Sequence, residues 1–151
     1  MPVISSHFAP RGRNTSIVQV FSYEDKRLDG ALRSMRLDEE FQFTSLMQFL
    51  ALMDAIMDLD NHPQRSVEPR VFSAPTSNVL NAARWSRQKP QPIATFWISV
   101  LFRQNASWQG TVLWADRDME SQFRSALELI SLLDNALSVT VEKMEKVEQR
   151  A

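Results

Sequence analysis

Apolar and polar positions alternate with period two over two neighbouring stretches in the second half of the chain. Thr95-Phe96-Trp97-Ile98-Ser99-Val100-Leu101-Phe102-Arg103 is rich in β-branched and aromatic residues, as strands are. Gln104-Asn105-Ala106-Ser107 is a turn cluster, and Trp108-Gln109-Gly110-Thr111-Val112-Leu113-Trp114 alternates again. Asp116-Arg117-Asp118 predicts a second turn and Met119 to Phe123 a third, short strand. Ser125-Ala126-Leu127-Glu128 then has the pattern of a capping box and opens a helix. Leu129, Leu132, Leu133, Ala136, Leu137, Val141, Met144 and Val147 continue one apolar stripe, predicting a helix to about Gln149.

The same order occurs earlier. Residues 17–59 align without gaps on residues 97–139 at a constant offset of 80. Nine of 43 positions are identical, among them Gly30/Gly110, Phe43/Phe123, Ser45/Ser125 and Asp54/Asp134. Average composition would give about three. Ser45-Leu46-Met47-Gln48 repeats the cap, and Leu46, Phe49, Leu50, Leu52, Met53, Ile56, Met57 and Leu59 give the first helix an apolar side. The expected fold is α+β, a tandem ββ(β)α repeat of units 17–59 and 97–139. It forms an antiparallel sheet with two helices on one face and pseudo-two-fold symmetry. A charged helical extension, 140–151, follows, and residues 1–151 form one domain.

Hairpin register follows from the pattern. An odd-length loop groups Phe96, Ile98, Val100, Phe102, Trp108, Val112 and Trp114 on one face, which takes the helices. An even loop would instead group Trp97, Leu101 and Arg103 with the other two tryptophans, which is less coherent. The opposite face then carries Trp97, Ser99, Leu101, Arg103, Gln109, Thr111 and Leu113 in one unit. In the other it carries Ile17, Gln19, Phe21, Tyr23, Asp29, Ala31, Arg33 and Met35. That face is half apolar, more than a solvated face normally shows.

The connection, 60–93, holds five prolines, and its five basic residues outnumber two acidic ones. Residues 17–59 carry four basic and eight acidic groups, so the connection is expected as a positive strip beside acidic units. Thr76-Ser77-Asn78 is placed to cap a short helix over Val79 to Trp85.

The second unit resembles small uncharacterised bacterial proteins. The shared pattern is the Trp108-Gln109-Gly110-Thr111-Val112-Leu113-Trp114 strand followed by Phe123-Arg124-Ser125-Ala126-Leu127-Glu128-Leu129-Ile130-Ser131-Leu132-Leu133-Asp134-Asn135-Ala136-Leu137. It covers about residues 95–138. No activity comes with the resemblance, so it implies no catalytic or binding residue. The first unit departs from it, with Leu28 and Ser34 in the places of the two tryptophans.

Composition narrows the chemistry. The 151 residues contain no cysteine, three glycines and two histidines, with a net charge of −1. Thiolate sites and disulfides are excluded. Glycine scarcity removes phosphate-binding loops of the G-x-G-x-x-G or G-x-x-x-x-G-K-[ST] kind. His7 and His62 have no nearby partner in sequence, so no metal site and no histidine-based catalysis is expected. The carboxylate pairs Asp38/Glu40 and Asp116/Asp118 fall in turns, and Asp54 and Asp134 fall on the polar arcs of the helices, where solvation or capping accounts for them. Gly30 and Gly110 lie inside strands and predict bulges or close packing. Trp108 and Trp114 belong to the core. No cofactor is expected.

The expected function is therefore non-enzymatic: a small adaptor, inhibitor or regulator acting through protein–protein contacts. The candidate partner surface joins Trp97, Leu101, Arg103, Phe21, Tyr23 and Arg33 on the second face to Arg84, Trp85, Arg87 and Lys89 of the connection. The alternative is nucleic-acid binding, with Trp97 stacking on bases and Arg103, Arg84, Arg87 and Lys89 pairing with phosphates. A homodimer would also cover the second face. The chain start lacks a basic stretch followed by an apolar core, and no apolar run is long enough to span a bilayer, so a cytoplasmic location without membrane contact is expected.

Overall fold

A computed structural model describes residues 15–35, 37, 39–59, 62–66, 68, 70–73, 79–84, 88–103 and 107–150. Its elements run β1 (Thr15–Ser22), β2 (Asp29–Ser34), β3 (Glu40–Phe43), α1 (Leu46–Leu59), α2 (Val79–Ala82), β4 (Ala94–Phe102), β5 (Gln109–Trp114), β6 (Met119–Phe123) and α3 (Ala126–Arg150). The six strands form one antiparallel sheet in the order β3-β2-β1-β4-β5-β6. The fold is α+β.

The apolar face is the one the alternation predicts. Phe96 pairs with Trp114, Ile98 with Val112 and Val100 with Gly110. Their counterparts in the first hairpin are Val18 with Leu32 and Val20 with Gly30. Phe49, Leu52 and Met53 of α1 and Leu129, Leu133 and Leu137 of α3 join these residues in one core. Trp108 and Trp114 pack against that core from its edge.

Both helices open as their sequences predict. The Ser45 Oγ accepts from the Gln48 N–H at 3.1 Å, and Gln48 Oε1 accepts from the Thr44 N–H at 2.8 Å. At α3 the Ser125 Oγ accepts from the Glu128 N–H at 3.1 Å, and Glu128 Oε1 accepts from the Arg124 N–H at 2.8 Å. Each cap satisfies backbone donors that have no partner within the helix.

Two β-bulges change which way later residues point. The register shifts between Val20 and Ser22, opposite Asp29, and between Val100 and Phe102, opposite Gln109. Two residues then oppose one, and side-chain parity inverts beyond the bulge. Phe102, expected in the core, is turned out and is 51% exposed. Tyr23 and Arg103, expected on the second face, are delivered to the helix face instead. Gly30 and Gly110 sit directly beside the bulges. A Cβ at either would fall on a neighbouring carbonyl oxygen, that of Gln19 or Ser99 respectively. Close backbone approach therefore accounts for both glycines.

The short helix of the connection ends earlier than expected. After Ala82 the chain leaves α2 so that the Ala83 carbonyl can accept from the Gln42 N–H at 2.6 Å and Arg84 can bridge to Phe41. The edge strand β3 thus gains a partner for its backbone groups. Residues 76–78, read as its cap, lie outside the described residues.

Candidate functional site

The bulge in β4 aims Arg103 at the last turns of α1. Arg103 is 3% exposed. Its Nη1 donates to Asp54 Oδ1 at 3.2 Å and Asp58 Oδ1 at 2.7 Å, and its Nε donates to the Pro63 carbonyl at 2.6 Å. Arg65, just after that proline, closes the other side, with Nη2 at 2.8 Å from Asp54 Oδ2 and 2.9 Å from Asp58 Oδ2. The result is a compact cluster of two guanidiniums and two carboxylates. Burial works upward on the Asp58 carboxyl, but hydrogen bonds from Arg103 and Arg65 outweigh it and hold its pKa below the usual carboxylate value. Arg65 is raised: burial opposes its charge, and the hydrogen bonds and charges of Asp54 and Asp58 more than offset that.

The bulge in β1 aims Tyr23 at α3 in the same way. Its hydroxyl donates to Asp134 Oδ1 at 2.6 Å, and Lys26 Nζ reaches the same oxygen at 2.7 Å and the Ser138 Oγ at 3.1 Å. Lys26 has a left-handed backbone, φ 61°, in the turn that follows β1. The hydrogen bonds from Lys26 and then Tyr23 lower the Asp134 pKa against a small opposing effect of burial. Burial, followed by the hydrogen bond to Asp134, raises the tyrosine pKa well above its ordinary value.

These clusters correct two expectations. Tyr23 and Arg103 are not on the second face, and Asp54 and Asp134 are not merely solvated. The repeated aspartates were visible in sequence, but their partners were hidden by the inversion at the bulges.

The second face is also less open than expected. Phe21, Ala31 and Leu113 are buried there, and the Thr15 and Ser99 hydroxyls bond to each other at 2.9 Å. The connection returns along this face, with Lys89 Nζ 2.7 Å from Glu40 and 3.5 Å from Gln19 Oε1. Trp97 is half-buried in a row running Arg33, Ile17, Trp97, Leu113, Glu120 across five strands. Leu101 stays exposed, at 47%, as does Arg33. Arg84 pairs with Glu39 at 3.3 Å. With Arg65 and Lys89 also paired to carboxylates, the connection is not the bare positive strip its composition predicts. Trp85 and Arg87 lie outside the described residues.

Two grooves flank the far half of α3. One, of about 490 Å³, lies between that helix and Ile93, Trp114 and Arg117. The other, of about 430 Å³, includes Phe21, Tyr23, Val141 and Met144. Arg117 sits over the Trp114 ring at 5.1 Å, while the buried indole Nε1 of Trp114 has no hydrogen-bond partner among the described residues.

No group of acidic and histidine residues suited to a metal ion occurs among the described residues, and none of their helices is long and apolar enough to cross a membrane. No family model, curated protein or solved structure matches the chain.

Proposed function

We propose that this chain is a non-enzymatic binding protein that acts by docking a protein partner on one end of the second sheet face. The observation that carries this reading is the outward turn of Phe102 at the β4 bulge. It leaves Leu101 and Phe102, 47% and 51% exposed, side by side at the sheet end where Met35 is 47% exposed. Trp97 and Arg33 extend the same face toward its middle. Adjacent exposed apolar side chains, with an aromatic and an arginine beside them, are the makings of an interface centre.

The electrostatics favour a protein over a nucleic acid. Of the cations that would meet phosphates, the three among the described residues are held by carboxylates: Arg103 by Asp54 and Asp58, Lys89 by Glu40 and Arg84 by Glu39. Catalysis is disfavoured by the same pairing. The Asp58 carboxyl, between two guanidiniums, is held below its usual pKa, opposite to the raised pKa of a general acid.

The tandem, pseudo-two-fold construction belongs to the same proposal. It is supported by the matching bulges, the two glycines packed on Gln19 and Ser99, the matching caps, and the crossed contacts Tyr23–Asp134 and Arg103–Asp54. Each crossed contact joins the strands of one unit to the helix of the other. On this reading the duplicated frame is the scaffold, and the differences between its halves, such as Phe102 against Ser22, carry the binding.

Photo-crosslinking from position 35, at the same sheet end, in the full chain tests the reading. A defined protein adduct that L101D and F102D both abolish, while thermal stability is kept, is the expected result. Crosslinking to nucleic acid that falls steeply with salt would overturn it in favour of the alternative.

A further inference from the structure

We propose that the groove between the turn after β1 and the far half of α3 binds a basic, apolar peptide segment of a protein partner. The groove is separate from the sheet face discussed above, so neither reading depends on the other. Its floor is apolar: Phe21 is buried at the base, and Tyr23, Ile93, Val141 and Met144 complete it. One wall is the turn, which carries Glu24 and Asp25. The other is α3, where Val141, Met144, Glu145 and Glu148 follow the i, i+3, i+4, i+7 spacing of one helix face. The walls are tied together: the Tyr23 hydroxyl and Lys26 Nζ both donate to Asp134 of α3, and Lys26 also reaches Ser138. The cleft is held in shape before anything enters it, which lowers the ordering cost of binding.

Charge selects the occupant. The four charged side chains that line this groove, Glu24, Asp25, Glu145 and Glu148, are all acidic. Each is exposed, and none is paired with a cation among the described residues. The cations of the same elements are placed elsewhere. Lys143 lines the groove on the opposite side of α3, Lys146 pairs with Glu142 at 3.5 Å, and Lys26 is held by Asp134. Residues 140–150 carry three acidic and three basic side chains, yet only carboxylates line this groove. An anionic ligand is repelled and a cationic one attracted. A single ammonium would meet only part of a charge spread over two walls. A polyamine would meet all of it but leave the apolar floor uncovered. A short peptide that alternates Lys or Arg with bulky apolar residues does both: its apolar side chains cover Tyr23, Val141 and Met144, and its cations meet the carboxylates of both walls.

Fluorescence anisotropy on the full chain, with a labelled Lys-Phe-Arg-Leu-Lys pentapeptide as the probe, tests this. Saturable binding that weakens as salt rises is the expected result. Peptides with Glu in place of the three cations, or Ser in place of Phe and Leu, should bind at least about ten-fold more weakly. Glu24→Lys and Glu148→Lys, on opposite walls, should each weaken binding by roughly ten-fold while leaving the thermal melt unchanged, because both side chains are exposed. L101D and F102D should leave binding unchanged; a loss with them would put the peptide on the sheet face and overturn the proposal. No saturable binding also overturns it. So does binding that both wall substitutions leave intact, that the serine peptide reproduces, or that favours the anionic peptide.

Discussion

Tyr23 and Asp134, 111 positions apart in the chain, are joined by a 2.6 Å hydrogen bond between the end of the first strand region and the longest helix. The bond exists because the β1 bulge turns Tyr23 toward the helices. Tyr23→Phe keeps the ring and removes the donor, so it should destabilise the fold by about 1.5 kcal/mol. The Asp134 pKa is depressed in the folded state, so its contribution is present above the unfolded carboxylate range and is lost as pH falls through the lower folded value. The Tyr23 pKa is raised, so its contribution holds below pH 10.0, the ordinary tyrosine value, and is lost above it. Chemical denaturation of both proteins across pH should show a gap that is widest near neutrality and narrows at both extremes.

Arg103 answers to a harsher environment, being 3% exposed with Asp54 and Asp58 against it. Arg103→Met fills similar space and removes the charge, leaving Arg65 to hold both carboxylates. A loss of about 2 kcal/mol is expected, since a charged group gives up its hydrogen bonds. Arg103→Lys should recover only part of it, because an ammonium cannot reproduce the fork that reaches both aspartates and the Pro63 carbonyl. Asp58 is depressed in the folded state, so the stability it supplies is lost on acidification. Arg103→Met should flatten that acid limb below about pH 4. Urea denaturation midpoints at pH 7 and pH 3 check both points.

The features legible in the sequence were those set by local pattern. Ser45 and Ser125 with their third-following partners marked the helix starts, and the alternation about Ile98 and Val112 marked the core face. The bulges were not legible, because one extra residue in a strand leaves alternation intact on either side and only inverts its meaning. Every misplaced side chain among Tyr23, Phe102 and Arg103 lies beyond or at a bulge. The pairing of Lys89 with Glu40 and of Arg65 with Asp54 was hidden for a different reason. Composition counts charges in a segment but does not say which carboxylates that segment will cross.

Gly110 separates close packing from simple flexibility. Its φ lies outside the left-handed region, so a side chain is opposed only by space, and that space is filled by the Ser99 carbonyl. Gly110→Ala should cost about 3 kcal/mol or more, at the upper end of overpacking penalties. Gly30→Ala meets the Gln19 carbonyl and the Phe43 ring and should cost a similar amount. If either variant melts within a degree of the parent protein, the strands are further apart there than described.

The two helix caps should behave independently. Ser45→Ala and Ser125→Ala each remove an acceptor for one early backbone donor, at a cost of about 1 kcal/mol apiece. The sites share no partner, so the double variant should show the sum, measured by urea denaturation.

Phe96 and Phe102 lie on one strand, six residues apart, where unbroken alternation would give them the same environment. The bulge at Val100 and Phe102 makes them opposites: Phe96 is 1% exposed and stacks on Trp114 with ring centroids 6.5 Å apart, while Phe102 is 51% exposed. Phe96→Ala should cost about 3–5 kcal/mol, the usual range for emptying a buried aromatic site. Phe102→Ala should change stability by about 0.5 kcal/mol or less, as surface substitutions do. Equal losses at the two positions would mean that the strand continues without a bulge and that Phe102 faces the core. In that case Arg103 would face away from α1, and the Arg103→Met and pH predictions would fail together with this one. Denaturation curves for the two single variants therefore check the register on which the Arg103 cluster and the exposed Leu101–Phe102 surface both depend.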